Sequence, residues 1–311
     1  MISVIMDNYN YEKYISEAIE SVLMQDFEDF ELIIVDDGSK DNSREIIEKY
    51  AKKDKRIKPI FKKNGGQASA FNVGVENAKG ELIIFIDSDD KFKQGKLKKV
   101  YEAYKKGYEY IVNDYELIGD TSYDYGPYYP YGGYNLFLVY FLTIFTGSTT
   151  SNISISKNLA DKIFPIKNEK FFRIRADDVV VFSASMMSEM YFLDDILTEY
   201  RIHGSNLFAC NYKKITDKEK YYRDFVMHQL KKEILDKIEV DRRFFENPYH
   251  LFAEFRTKRI YDKNILKLYL KILFLEMNVP FFKKLFVAKR IIEHYFENKQ
   301  EFKFKKRPHI S

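Results

Sequence analysis

Apolar residues recur in two distinct rhythms along the first hundred positions. Short, nearly unbroken runs occupy Ile2–Met6, Leu32–Val35, Ile57–Phe61 and Leu82–Ile86. Runs of that length bounded by polar residues predict strands buried on both faces of a parallel sheet. Between them the apolar positions fall at helical spacing. Tyr11 to about Gln25 carries Ile15, Ala18, Ile19, Val22 and Leu23 on one face, and about Asp41 to Lys52 turns Ile46, Ile47 and Tyr50 inward. Two more helices are predicted, one opened by Asn64-Gly65-Gly66-Gln67 and running to about Ala78, the other from Gln94 to about Lys105. Strands alternating with helices of about ten to fifteen residues imply βαβ units. The fold class is therefore α/β, with a mostly parallel central sheet flanked by helices in a Rossmann-like arrangement.

The rhythm loosens after residue 105. A stretch from Gly119 to Gly133 is dense in Tyr, Gly and Pro. It reads either as a surface loop or as a lid or acceptor wall, since sugar rings stack on aromatic faces. Asn152–Ser156 predicts a strand, Asp177-Asp178 opens a helix, and Tyr191–Leu193 and Thr198–Arg201 are short strand candidates. Acids in a first helical turn are favoured by the helix dipole whatever else they do. From about Asp217 the chain turns to basic amphipathic segments, such as Leu266–Phe274 and Phe281–Phe286, and ends in Phe302-Lys303-Phe304-Lys305-Lys306-Arg307. These segments read as a helical appendage packed on the main domain or on a second subunit. Alternatively they dock on an anionic membrane face. The expected division is 1–212, with halves 1–100 and 101–212, followed by a helical extension over 213–311.

Composition narrows the classes. The 311 residues can bury a substantial core. The 51 basic and 47 acidic residues nearly cancel, which argues against a surface built wholly for nucleic acid. The single cysteine, Cys210, excludes a disulfide framework and a multi-cysteine zinc site. No leader pattern is seen, and no run reaches the roughly 18 apolar residues of a spanning helix. A cytoplasmic protein is expected, with peripheral contact on the inner membrane face as an option.

The chemistry lies where the apolar runs stop. Glu81-Leu82-Ile83-Ile84-Phe85-Ile86 ends in Asp87-Ser88-Asp89-Asp90, and Glu31-Leu32-Ile33-Ile34-Val35 ends in Asp36-Asp37-Gly38-Ser39. Asp and Ser are ordinary turn residues, so one such run alone decides nothing. Two of them deliver carboxylates to one edge of one sheet, where α/β folds hold their ligands. Acids so crowded call for a cation, and a hard divalent ion bridging to phosphate is the usual one.

With Ile2-Ser3-Val4-Ile5-Met6-Asp7-Asn8-Tyr9-Asn10, Val35-Asp36-Asp37-Gly38-Ser39, Asn64-Gly65-Gly66-Gln67 through Asn72, Asp87-Ser88-Asp89-Asp90 and Tyr200-Arg201-Ile202-His203 in this order, the chain resembles the family 2 inverting glycosyltransferases of GT-A fold. The likeness covers about residues 1 to 205. It implies a nucleobase pocket at Tyr9 and the backbone around Asp7, with Asp37 accepting the imide N–H of a uracil or thymine ring. It implies Asp87, Ser88 and Asp89 as the metal-and-ribose motif, Asp90 as a further ligand, and Mn²⁺ or Mg²⁺ as the metal. Asn72 falls in the donor-binding segment. Arg201 and His203 match a segment that reaches the diphosphate or the metal. The catalytic base falls on the Asp177-Asp178 pair: Asp178 aligns with the usual base, and a one-residue slip would exchange it with Asp177. The implied partners are a nucleotide-sugar donor, UDP-sugar above all, and a saccharide or lipid-linked glycan acceptor.

Two positions depart from the family pattern. Asp7 stands where Pro or a small residue is usual, and Phe71 where a basic residue commonly reaches the phosphates, leaving Lys62 or Lys63 as substitutes. A nucleotidyltransferase or a dinucleotide oxidoreductase would need glycines in the first turn, which reads Asp7-Asn8-Tyr9-Asn10. A nucleic-acid binder lacks any accompanying motif. The competing class is a non-catalytic nucleotide-sugar-binding or scaffold protein on the same fold.

Overall fold

A computed structural model describes residues 1–119, 132–204, 206 and 217–299. Cys210, the closing Phe302–Arg307 segment and nearly all of the Tyr/Gly/Pro stretch lie outside them. Four parallel strands form one side of the sheet: β1 (Ile2–Asn8), β2 (Phe30–Asp36), β3 (Ile57–Phe61) and β4 (Leu82–Asp87). They are linked by α1 (Ile15–Leu23), α2 (Ser43–Lys53) and α3 (Gln67–Asn77). Each of these elements falls where the apolar rhythm puts it.

β5 (Lys91–Phe92) and α4 (Lys96–Lys105) follow, then β6 (Tyr110–Gly119), β7 (Ile153–Ser156) and β8 (Met190–Ile202). The sheet order is β3-β2-β1-β4-β7-β6-β8-β5. β7 runs antiparallel between β4 and β6, β8 is parallel to β6, and the two-residue β5 closes the edge on β8. The two short strands expected over 191–201 are one long strand, bent by register shifts opposite Asn113–Tyr115.

Period-two alternation divides the apolar residues of the parallel strands between two cores. Val4, Met6, Leu32, Ile34, Ile84 and Ile86 face α1, α2 and α4. Ile5, Ile33, Val35, Ile83 and Phe85 face the other way, toward α3, α5 (Leu136–Leu142), α6 (Lys157–Ile163) and α7 (Ala176–Met187). Burial on both faces explains why β1, β2 and β4 read as continuous apolar runs, whereas β3 at the sheet edge is only partly covered and carries Lys58 and Pro59.

The C-terminal helices α8 (Asp217–Lys237), α9 (Pro248–Arg256), α10 (Lys263–Lys271) and α11 (Phe281–Asn298) extend the second core. Phe245 stacks on Tyr140 of α5 at 3.9 Å. Glu254 of α9 accepts the Phe137 N–H at 2.9 Å and the Tyr269 hydroxyl at 2.6 Å. The Lys258 ammonium donates to Asn135 Oδ1 at 2.6 Å and to the Tyr134 carbonyl. The boundary expected at residue 212 falls among residues 207–216, outside the described set. No helix among the described residues is long and apolar enough to cross a membrane.

Candidate active site at the sheet edge

Strand register assembles the site. Asn8 lies opposite Asp36, and Asp7 opposite Asp87, so the ends of β1, β2 and β4 deliver their polar residues side by side. Asn8 donates to Asp36 Oδ2 at 2.7 Å and to Ser39 Oγ at 3.1 Å, which fixes the turn after β2. That turn passes through Gly38 at φ +79°, where a side chain would also meet the Asn64 backbone.

Asp37 is buried and takes three donors: Lys62 Nζ at 2.6 Å, the Gly65 N–H at 2.8 Å and the Gly66 N–H at 2.7 Å. It therefore holds the glycine loop that opens α3. Lys62 also donates to the Lys63 carbonyl, so its charge is committed to this turn rather than free to stand in for a phosphate-binding residue. Phe71 is wholly buried against Phe85, ring centres 4.8 Å apart, and faces the core. Asn72 spends both amide hydrogens on the Ile166 carbonyl and Glu169, and its oxygen accepts the Ile166 N–H at 2.7 Å. In this structure Asn72 pins the segment before α7 and offers no amide hydrogen toward the carboxylates. Tyr9 stands 41% exposed at the rim, its ring available to a flat ligand.

One oxygen from each of Asp87, Asp89 and Asp90 lies within 4.8 Å of the others. Asp90 is completely buried and both its oxygens are used: the Arg201 N–H donates to one at 2.8 Å and the Ser151 hydroxyl to the other at 2.6 Å. Asp89 Oδ2 meets His203 Nε2 at 3.0 Å and the Asn206 amide at 3.3 Å. The His203 ring stacks on Tyr14 at 4.6 Å. Arg201 braces this corner: its Nε donates to the Asp89 carbonyl at 2.9 Å while its other end pairs with Glu17 at 2.7 Å. Asp87 lies opposite Asp7 and receives Gln67 Nε2 at 3.3 Å.

The electrostatics are those of a crowded anion site. Burial pushes Asp7 up to about 7, with the Asp89 charge adding to it against a hydrogen bond from Asp87. Burial and then the charges of Asp7, Asp90 and Asp89 push Asp87 well above the carboxylate range. Burial likewise raises Asp90, and Lys96 only partly offsets it. Asp7 Oδ1 and the Ser88 hydroxyl are buried without a hydrogen-bond partner among the described residues. All-oxygen donors, excess negative charge and orphaned oxygens together fit a hard divalent cation such as Mg²⁺ or Mn²⁺.

The Asp177-Asp178 pair separates clearly. Asp178 is held by Arg175, whose guanidinium reaches both of its oxygens at 2.9 Å. Arg175 itself sits at φ +70°, a left-handed conformation uncommon for a bulky residue, immediately before α7. Asp177 instead contributes its charge to Asp7 and Asp87, and so lies toward the carboxylate cluster. Burial, then the adjacent Asp178 charge, push Asp177 up to about 7.

Three contributors were not singled out from the pattern. Gln67 bridges the two halves of the site, since its oxygen accepts the Ala176 N–H at 2.9 Å while its amide meets Asp87. Tyr11 lies beside the cluster, its phenol raised by burial and then by the Asp89, Asp87 and Asp7 charges. Lys96 is fully buried behind Asp90, donating to the Ser151 carbonyl and to Thr198 Oγ1 at 2.8 Å. Of the three, only Gln67 has a sequence signal, a polar side chain placed directly after the paired glycines at a helix start.

Comparison with known proteins bears on this arrangement. A model of the family described as Glycosyl transferase family 2 matches residues 3–164, which hold β1 through β7 and the carboxylate cluster. The chain belongs to glycosyl transferase family 2. An uncharacterized glycosyltransferase of Nostoc sp. is 36% identical over 218 residues, 66% of each chain. GlyG of Streptococcus pneumoniae is 38% identical over 117 residues, and the putative teichuronic acid biosynthesis glycosyltransferase TuaG of Bacillus subtilis 44% over 103. The matched segments span 39% and 41% of those two relatives. Among solved structures, S. aureus TarS 1–349 in complex with UDP-GlcNAc superposes with a TM-score of 0.56 at 18% identity, over 97% of this chain and 93% of that one. That likeness establishes that this family 2 chain has the GT-A fold, helical C-terminal region included.

Proposed function

We propose that this family 2 chain is a metal-dependent inverting glycosyltransferase, moving one sugar from a nucleotide diphosphate to an acceptor hydroxyl. The observation that carries the reading is the crowded carboxylate group of Asp7, Asp87, Asp89 and Asp90, whose mutual charges raise Asp87, with Asp177 on the far side of the Gln67 bridge. UDP-sugar is the favoured donor, because the solved neighbour TarS binds UDP-GlcNAc. The acceptor is a saccharide or lipid-linked glycan hydroxyl in surface polysaccharide or glycan assembly, in keeping with relatives such as TuaG. Residues 1–212 would carry the reaction, and 213–311 would buttress it.

In this reading Tyr9 offers its exposed ring to the base, and Asp37, with one lone-pair site left, accepts the uracil imide N–H. Asp87 and Asp89 would hold Mg²⁺ or Mn²⁺, with Asp90 and His203 fixing their positions, and the ion would offset charge on the departing diphosphate. Asp177, poised near neutrality, takes the acceptor's hydroxyl proton as the new C–O bond forms and the bond to phosphate breaks. Asp178, which the family alignment favours, is tied to Arg175 and positions the start of α7 instead.

Calorimetric titration of UDP and GDP, with Mn²⁺ and then with EDTA, tests the donor site. Metal-dependent binding of UDP in preference to GDP is expected, and Asp89→Ala should remove the metal dependence. Equal UDP affinity with and without EDTA would overturn it. The scaffold reading makes the same binding prediction but none of turnover, so release of UDP in the presence of an acceptor separates the two.

A further inference from the structure

The face of α11 that points away from the core, and the turn preceding it, carry an apolar surface that no described residue covers. Val287, Ala288, Ile291 and Tyr295 form the buried side of the helix. Among the described residues nothing covers its outward side or the residues just before it: Leu275 is 73% exposed, Phe281 61%, Phe282 83%, Leu285 45% and Phe286 54%. The rings are contiguous, with Phe281 centred 6.5 Å from both Phe274 and Phe282. Single exposed apolar residues are ordinary, but a patch of large ones marks an interaction surface.

Charge identifies the occupant. From Phe281 to Ile292 the chain reads FFKKLFVAKRII, with Lys283, Lys284, Lys289 and Arg290 and no acid. Lys284 is used locally, donating to the Phe274 carbonyl at 3.0 Å. Lys283 and Arg290, seven residues apart, line one edge of the apolar stripe and are exposed, Arg290 lying over Phe252 at 5.0 Å. Lys289 within the stripe is paired with Glu293 at 3.7 Å, and Glu276 lies in the preceding turn, so Lys283 and Arg290 carry the net positive charge of the patch. A second copy of the chain seated on this face would set the same cations against one another, because a two-fold interface pairs a patch with itself. An anionic lipid surface meets both halves of the pattern. Aromatic side chains enter the headgroup boundary, and Lys and Arg are drawn to the negative potential.

We infer that the Leu275 turn and the first three turns of α11 dock this protein on an anionic bilayer surface, with Phe281, Phe282 and Phe286 inserting. The inference does not rest on the sugar-transfer reading, since donor binding is measured separately.

The test is co-sedimentation with phosphatidylcholine vesicles, with and without phosphatidylglycerol. Binding to the anionic vesicles alone, weakened by salt, is expected. Lys283→Gln with Arg290→Gln should reduce partitioning by about 25-fold, at about fivefold per charge. Phe282→Ser with Phe286→Ser should abolish it while UDP binding by calorimetry stays intact, which shows that the variant is folded. Equal sedimentation with and without the anionic lipid would overturn the inference. So would a concentration-dependent dimer in sedimentation velocity that Phe282→Ser dissolves, because the face would then belong to a second copy.

Discussion

Two groups of buried charge in this molecule are built on opposite terms. At the sheet edge, Asp7, Asp87, Asp89, Asp90 and Asp177 crowd together; His203 meets Asp89 and Arg201 braces the corner, while the buried Lys96 is turned to Ser151 and Thr198. In the C-terminal helices, Glu254 is more deeply buried than Asp7, Asp87 or Asp177, and the charge of Lys258, four residues on, acts on it although that ammonium hydrogen-bonds to Asn135 and the Tyr134 carbonyl. Lys258, the Tyr269 hydroxyl and the Phe137 N–H lie around it. Burial raises the Glu254 carboxyl, and Lys258 pulls it back. A buried acid with internal partners is a structural clamp, here holding α9 to residues 132–138. At the sheet edge the acids have hydrogen-bond partners in Arg201, Ser151, His203, Asn206 and Gln67, but their mutual charges still raise Asp87 well above the carboxylate range, which suits a group that takes a cation as ligand. The contrast separates site from scaffold without any reference to relatives.

The sharpest way to break the contrast is at Asp177. If the edge group does chemistry, Asp177→Asn should lower transfer by about 10³-fold, within the span measured for loss of a general base. Donor affinity should change little. Asp178→Asn should cost less, and through the Arg175 contact, so it should move KM and stability along with kcat. Steady-state kinetics on the two variants decide between adjacent acids; full activity in Asp177→Asn with loss in Asp178→Asn would reverse the assignment.

The scaffold side is tested by unpairing it. Lys258→Met leaves Glu254 buried without its cation and should destabilise the protein by about 3 kcal/mol. Adding Glu254→Leu should recover part of that loss, because two apolar groups are cheaper to bury than one charge. Urea midpoints report both, and UDP affinity should be unaffected in either variant. A Lys258→Met protein as stable as the parent would mean that the charge there is not structural.

How much of this was legible beforehand follows from the physics of each element. The parallel half was legible because strands buried on both faces must be apolar throughout, and because their polar ends share one edge by register. β6 was not, since it carries the buried polar residues Asn113 and Glu116, which interrupt any apolar rhythm. Lys96 could not be read as buried from a Lys-rich helix. Its depth is decided by Phe92, whose ring it covers at 4.1 Å, and by oxygens from β8 and the segment before β7. Adjacent acids at a helix start differ by about 100° in direction, and sequence cannot say which one faces inward. In the structure Asp178 is the more buried of the two and pairs with Arg175, and the proposed exchange of roles rests on that pairing. The donor-binding place given to Asn72 rested on the family pattern, which does not register that Asn72 has Ile166 and Glu169 to hold.

The smallest expected effect is also the one that joins the two regions. Asp7 and Asp177 have folded-state values of about 7, against an ordinary carboxylate value of 3.8. The folded, metal-free protein therefore binds more protons than the unfolded chain between these values. Stability then falls as pH rises through that window, and the contribution present below pH 4 is gone above pH 7. Taken in full, each of the two shifts would give about 2.5 kcal/mol between pH 5 and 7.5. Because both acids are only half-buried and share one cluster, a loss of about 2 kcal/mol in all is expected in urea titrations with EDTA. The Glu254–Lys258 clamp makes no comparable demand at neutral pH, because the cation beside it opposes the shift. Mn²⁺ should flatten the profile, since a cation among the carboxylates replaces the protons. If the fall persists unchanged at saturating Mn²⁺, the cation does not bind among these acids, and the contrast between a waiting site and a finished clamp fails at its first term.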